Sequence, residues 1–192
     1  MSEQSLELIE EEIKRCTKCD LHKTRNNPVA GAGCKTADVL FIGEAPGRNE
    51  DLQGKPFVGR AGKILDVLLK SIDLSREDIF IGNILKCRPP KNRNPLQSEI
   101  DSCSVFLDRQ IELIKPKIIV ALGSFSMMYV FEKYGFSKNK ISKVHGKKFK
   151  INNDNLIIIP VYHPAVATYN PNKIFDLEND FKTIKESLKD LS

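Results

Sequence analysis

Four cysteines, Cys16, Cys19, Cys87 and Cys103, carry the strongest chemical signal in this chain. Cys16 and Cys19 form a C-x2-C pair, while Cys87 and Cys103 lie far downstream and well apart. Thiolates from separate regions converge only if the fold gathers them. Four gathered thiolates can hold an iron–sulfur cluster or a zinc ion. Four-cysteine zinc sites usually show two short hooks. The second pair here is too wide for a hook, which favours a cluster over zinc and over four ordinary buried thiols. Cys34 is left over and reads as a free thiol in a loop.

A second group of residues follows apolar runs. Glu44 lies between Gly43 and Gly47, in a loop that Pro46 keeps from being regular helix. Such a carboxylate can orient a water or stabilise a developing positive charge; the plainer reading is a cap on backbone amides. Asn83, near the end of the second run, offers a donor beside an acceptor, which suits a base edge with the opposite pair; the plainer reading is a turn or strand-end residue. His163 ends a buried run just before a proline, where an imidazole can donate to an oxygen that gains charge. A lone histidine is more often structural, but this one shares its rim with Glu44 and Asn83. Phe57 sits in the glycine-rich stretch 54–62 and can present its ring as a stacking platform instead of joining the core. His22 and His145 lack such company and are assigned no chemistry.

Four short apolar runs must position these residues: Asp38–Ile42, Ile79–Ile84, Lys117–Leu122 and Leu156–Val161. Nearly continuous in Ile, Val, Leu and Phe, they read as parallel strands covered on both faces. Helical periodicity marks Ser5–Arg15, Ala61–Ser71, Gln97–Ile114, Ser124–Tyr134 and Asp176–Leu191. The alternation predicts one α/β domain over residues 1–192, with helices on both sides of a parallel sheet. In such sheets ligands bind beyond the carboxyl ends of the strands, which is where Glu44, Asn83 and His163 fall.

Bulk properties set the boundaries. A chain of 192 residues, 41% hydrophobic and 29% charged, suits a soluble globular protein with a real core. No apolar run reaches a membrane span. The acidic, amphipathic N-terminal segment is not expected to be a signal peptide, which points to a reducing cytoplasm. Net charge is +5, and from Lys133 to Lys150 every charged residue is lysine. That stretch can neutralise phosphates, though a solvated loop is the ordinary reading.

Together these stretches resemble the family 4 uracil-DNA glycosylases, the iron–sulfur branch of that superfamily. The matching segments are C-T-K-C-D-L-H-K-T-R (16–25), F-I-G-E-A-P-G-R-N-E-D (41–51), G-K-P-F-V-G-R-A-G (54–62), N-I-L-K-C-R-P-P-K-N-R-N-P (83–95), Cys103 and Y-H-P-A (162–165). The resemblance implies a three-layer α/β/α fold around a four-stranded parallel sheet. It implies a [4Fe-4S] cluster on Cys16, Cys19, Cys87 and Cys103, and excision of uracil from single- or double-stranded DNA to start base-excision repair. Carried over, Glu44 and His163 are catalytic, and Phe57 stacks on the flipped base. Asn83 reads its edge beside Gly43 and Ala45, and Glu50 helps close the pocket. Ala45 stands where another branch has a water-activating aspartate, so Glu44 is left to handle water. The loop from Ala165 lacks the bulkier aliphatic residues and the arginine of many relatives, so Tyr169 is a candidate for the wedge. Lys86, Arg88, Lys91 and Arg93, with Pro164, Ala165, Val166 and Tyr169, are expected to meet DNA. No lysine is placed as a Schiff-base nucleophile, so the expected enzyme is monofunctional. It is expected to be a monomer, and no sequence feature identifies a protein partner such as a sliding clamp. The alternatives are a non-catalytic uracil-DNA binding module, an electron carrier and a zinc protein.

Overall fold

The computed structural model describes residues 5–151 and 155–191. Its centre is a six-stranded sheet formed by β1 (Ala32–Gly33), β2 (Val39–Gly43), β3 (Ile79–Asn83), β4 (Ile118–Leu122), β5 (Phe149–Ile151) and β6 (Leu156–Val161). The order is β1-β3-β2-β4-β6-β5. The inner four strands are parallel, in register from Val39 against Ile79 and Ile118 to Ile118 against Ile157. These are the expected four. The short edge strands β1 and β5 pair antiparallel, so the whole sheet is mixed. Sequence reading misses both edges because two- and three-residue strands carry no period of their own. Strand β5 and the short helix α6 (Ile141–Val144) also give structure to the lysine-rich stretch.

Every residue of the four inner strands is buried, as continuous apolar runs require. Alternate side chains feed two cores. Val39, Phe41, Ile79, Ile81, Ile118, Val120 and Ile159 pack under α3 (Arg60–Ser71) and α8 (Lys173–Lys189). Leu40, Ile42, Phe80, Ile119, Ala121 and Ile158 pack under α4 (Gln97–Ile114) and α5 (Ser124–Lys133). A third cluster joins Ile9 and Ile13 of α1 (Leu6–Arg15) to Leu85, Phe106 and Cys16, Cys19, Cys87 and Cys103. Helices α2 (Arg48–Gln53) and α7 (Val166–Tyr169) add to the helices that the periodicity marks. Each is too short for a 3.6-residue period to show. Cys34 lies in the loop that follows β1 and packs against the α4–α5 core. No helix among the described residues is long and apolar enough to cross a membrane.

Candidate active site and thiol cluster

The carboxyl ends of β2, β3 and β6 open into a cleft of about 300 Å³, lined among others by Glu44, Ala45, Glu50, Phe57, Asn83, Arg93, His163 and Ala165. It therefore brings together both residues expected to be catalytic and most of those expected to hold a base. Gly43 forms the wall just behind. A Cβ there would strike the Asn83 Oδ1 atom and come within 3.0 Å of the Phe57 ring. Only glycine lets these two groups meet at one point.

Phe57 is 5% exposed and has φ +52°, a conformation rare for an aromatic residue. Its surroundings hold it there. Arg76 donates from Nη1 to the Pro56 carbonyl at 3.1 Å and from Nη2 to the Phe57 carbonyl at 2.5 Å. Glu50 Oε1 accepts the Val58 and Gly59 amides at 3.0 and 2.9 Å. Gly62 leaves room for the Phe57 carbonyl, which a Cβ would strike. Glu50 thus borders the cleft as expected, but one of its oxygens is committed to this loop. Nothing in the sequence points to Arg76, which sits on a distant turn.

His163 stacks on Phe57 with ring centroids 5.6 Å apart and planes 25° from parallel. The Ala165 amide donates to His163 Nδ1 at 3.2 Å. An accepting Nδ1 carries no proton, so the neutral ring bears its hydrogen on Nε2. Burial pushes the imidazole down to about 4, with the Glu50 carboxylate partly opposing. At neutral pH His163 is therefore an uncharged Nε2–H donor. Glu44 faces the same cleft, and burial raises its carboxyl above the ordinary range. Asn83 is 2% exposed at the end of β3.

Two residues expected on DNA are buried instead. Lys86 is 1% exposed, and its ammonium donates to Gln110 Oε1 at 2.7 Å, the Asn83 carbonyl at 2.9 Å and the Ala30 carbonyl at 3.3 Å. Those three bonds use all its N–H groups, so it cannot meet a phosphate. Pro164 is buried too, because it turns the chain beneath the rim. Arg93 borders the cleft but is paired with Glu99 at 2.5 Å, and Arg88 donates to Asn92 Oδ1 at 2.7 Å. Lys91 is exposed. Ala165 reaches the cleft, Val166 packs on the core, and Tyr169 projects from α7 with 88% of its surface exposed. Pro89 and Asn92 also line the cleft and were not singled out from sequence.

On the other side of Lys86, Cys16, Cys19, Cys87 and Cys103 line one narrow gap with Arg25 and Phe106. Arg25 Nη1 donates to Cys87 Sγ at 3.1 Å, and the Lys86 amide to Cys103 Sγ at 3.2 Å. Burial pushes the Cys103 thiol up to about 11 and raises Cys19 and Cys87. Among the described residues no three His, Cys, Asp or Glu side chains are grouped to hold a single metal ion. His22 turns its Nδ1 to the Cys19 carbonyl at 2.8 Å, a local bond.

The sequence signature described as the Uracil DNA glycosylase superfamily matches residues 30–192. The relatives narrow this further. The chain is 51% identical to the type-4 uracil-DNA glycosylase of Sulfurisphaera tokodaii, over 95% of this chain and 84% of that protein. It is 50% identical to the Saccharolobus solfataricus type-4 enzyme, over 96% of this chain and 87% of that one. Against the Archaeoglobus fulgidus type-4 enzyme it is 47% identical, over 95% and 93%. The chain belongs to the uracil-DNA glycosylase superfamily, and within it to the type-4 enzymes.

Proposed function

We propose that this chain hydrolyses the N-glycosidic bond of deoxyuridine in DNA, releasing uracil and leaving an abasic site for base-excision repair. Its relatives are named for that activity. The observation that carries the mechanism is the neutral Nε2–H of His163, stacked on Phe57 in a cleft shared with Glu44 and Asn83.

The target base is unreachable inside a duplex and must flip out, at a cost of a few kcal/mol. In the cleft it would stack on Phe57 and bond to Asn83. Uracil presents N3–H beside O4, whereas cytosine presents a bare N3 beside an amine, so one amide orientation separates them. As the bond to the sugar breaks, negative charge gathers on the uracil oxygens and positive charge on the sugar. The His163 Nε2–H stabilises the first without losing its proton, since a neutral imidazole is a poor acid. The Glu44 carboxylate stabilises the second and orients the water that attacks C1′. No lysine lines the cleft among the described residues, and the three N–H groups of Lys86 are committed elsewhere. The enzyme is therefore monofunctional and does not cut the strand.

Cys16, Cys19, Cys87 and Cys103 would hold a [4Fe-4S] cluster. The donor set fits it in charge as well as in number. The buried Lys86 has only neutral oxygens around its ammonium, and Arg25 points at Cys87. Among the described residues neither cation is hydrogen-bonded to a carboxylate, and an anionic cluster would match both. A lone zinc would need four sulfurs about 2.3 Å from one point. Bound on Cys16, Cys19, Cys87 and Cys103, the cluster would tie the end of α1, the exit of β3 and α4 together and so help to fix Asn83.

The test uses anaerobically purified protein with end-labelled oligonucleotides carrying one uracil, cytosine or thymine, with and without alkali. Many turnovers at uracil, with breakage only after alkali, is the expected result. Breakage without alkali would overturn the monofunctional reading, and no abasic product from folded, brown protein would overturn the reading as a whole.

A further inference from the structure

His145, which the sequence leaves without a role, belongs to a partly buried polar assembly around the residue that precedes the catalytic histidine. It follows α6, and its Nδ1 lies 2.9 and 3.0 Å from the two carboxylate oxygens of Asp180 on α8. The Asp180 side chain is 4% exposed. The Tyr162 backbone N–H also faces this carboxylate and favours its charged form. Tyr162 is the residue immediately before His163.

The Tyr162 ring is held from two directions. The His145 ring lies against it with centroids 4.3 Å apart, and Lys173 Nζ lies 4.6 Å from its centroid. Lys173 is itself paired with Asp176 at 2.7 Å. The loop that carries His145 is tied to β6 as well, through the Gly146 amide and the Pro160 carbonyl at 2.8 Å. Three elements, α6, α8 and the end of β6, thus close on Tyr162, the residue that precedes His163 in the chain.

We infer that Asp180 and His145 are positioning residues for His163, acting through Tyr162 to hold the imidazole against Phe57 with its Nε2–H turned into the cleft. The inference rests on the catalytic reading of His163 given above. Two further features support it. A buried carboxylate is costly unless its donors are fixed, so this pair has a narrow choice of geometry. Burial raises the Asp180 carboxyl above its ordinary range, and His145 and the Tyr162 amide oppose this by favouring the charged form. The neighbouring charges are Lys173 and Asp176, which face the same assembly. Displacing a reacting group by about 1 Å can cost about 10²-fold in rate, so a clamp this close has leverage on the chemistry.

Asp180→Asn is the informative variant. It keeps the size, but its amide must turn an NH2 toward one of the two converging donors. Single-turnover excision from a uracil oligonucleotide would be measured for wild type, Asp180→Asn, His163→Ala and the double variant. Asp180→Asn is expected to slow the chemical step by about 10- to 10²-fold with little change in substrate KM. In the His163→Ala background the same change is expected to have almost no further effect, because residues acting through one group are not additive. A shift of the His163 ring and Ala165 amide signals by NMR would accompany it. If folded Asp180→Asn matches wild type, or costs as much without His163 as with it, the inference fails. Should Asp180→Asn not fold, His145→Gln carries the same cycle with the same two outcomes. Absence of excision by wild type would instead sink the functional reading and is visible separately.

Discussion

Glu44 and His163 share a cleft, yet burial moves them in opposite useful directions. Burial disfavours charge, so it raises the Glu44 carboxyl and lowers the His163 imidazole. For Glu44 the working form is the anion. Excision is expected to fall on the acid side with a midpoint above the usual 4.5, and His163 adds no limb near 6.5. Glu44→Gln keeps the shape and removes the charge. It should lower kcat by about 10²- to 10⁴-fold, leave KM for uracil DNA nearly unchanged and abolish that acid limb, as a pH series would show. For His163 the sign runs through stability. The unfolded imidazole takes up a proton near 6.5, which the folded one refuses until about 4. The stabilising contribution is therefore complete above 6.5 and is lost as pH falls through that window. Thermal melts at pH 7.5 and 5 should differ less for His163→Ala than for wild type. An equal or larger difference would mean that the folded ring is charged and the neutral-donor mechanism wrong.

The loop that ends at α3 shows how an element, not a residue, makes the base platform. Phe57 occupies positive φ only because Arg76 and Glu50 fasten the chain on either side of it. Such a backbone state costs about 1–3 kcal/mol and persists when its surroundings over-determine it. Arg76→Ala removes one fastening and lets the ring leave the cleft. Uracil DNA should then bind about tenfold more weakly, a loss of roughly 1.4 kcal/mol, with a melting temperature within a few degrees of wild type. Unchanged binding would show that Glu50 alone suffices. This loop also marks the limit of what the sequence discloses. Continuous apolar runs announce the four inner strands, and the residues just past them, Glu44, Asn83 and His163, follow from the rule that ligands lie at strand ends. The long helix Gln97–Ile114 is legible to the residue because its period runs for five turns. Arg76, Asp180 and His145 are different. Each acts across the fold on a segment remote in the chain, and nothing in its own neighbourhood announces the partner. Lys86 misleads for a related reason: a lysine among arginines reads as surface, and only the packing of Gln110 and Ala30 around it shows otherwise.

Across the whole molecule, Lys86 joins the thiol gap to the base pocket. Its amide reaches Cys103, and its ammonium reaches the carbonyl of Asn83. With a cluster bound, as proposed, the four thiolates would outweigh the positive charge of the inorganic core and leave net negative charge beside this buried cation. Without it, the buried thiols hold their protons, since Cys103 lies near 11 and Cys87 is also raised. The ammonium would then be buried among neutral oxygens, a state that destabilises a fold by several kcal/mol. Lys86→Met should consequently change sign with the cofactor. In the brown protein it should lower the melting temperature and loosen Asn83, relaxing discrimination between uracil and cytosine. In protein stripped of iron by chelator it should raise the melting temperature relative to stripped wild type, because the uncompensated charge is gone. Melting the four samples side by side, with visible absorbance to report the cluster, separates the outcomes. If the substitution lowers the melting temperature equally in both forms, Lys86 is held by its three carbonyl-type acceptors alone and carries no charge link between cluster and pocket. A reversal of sign would identify this lysine as the route by which an intact cluster keeps the uracil-reading amide in place.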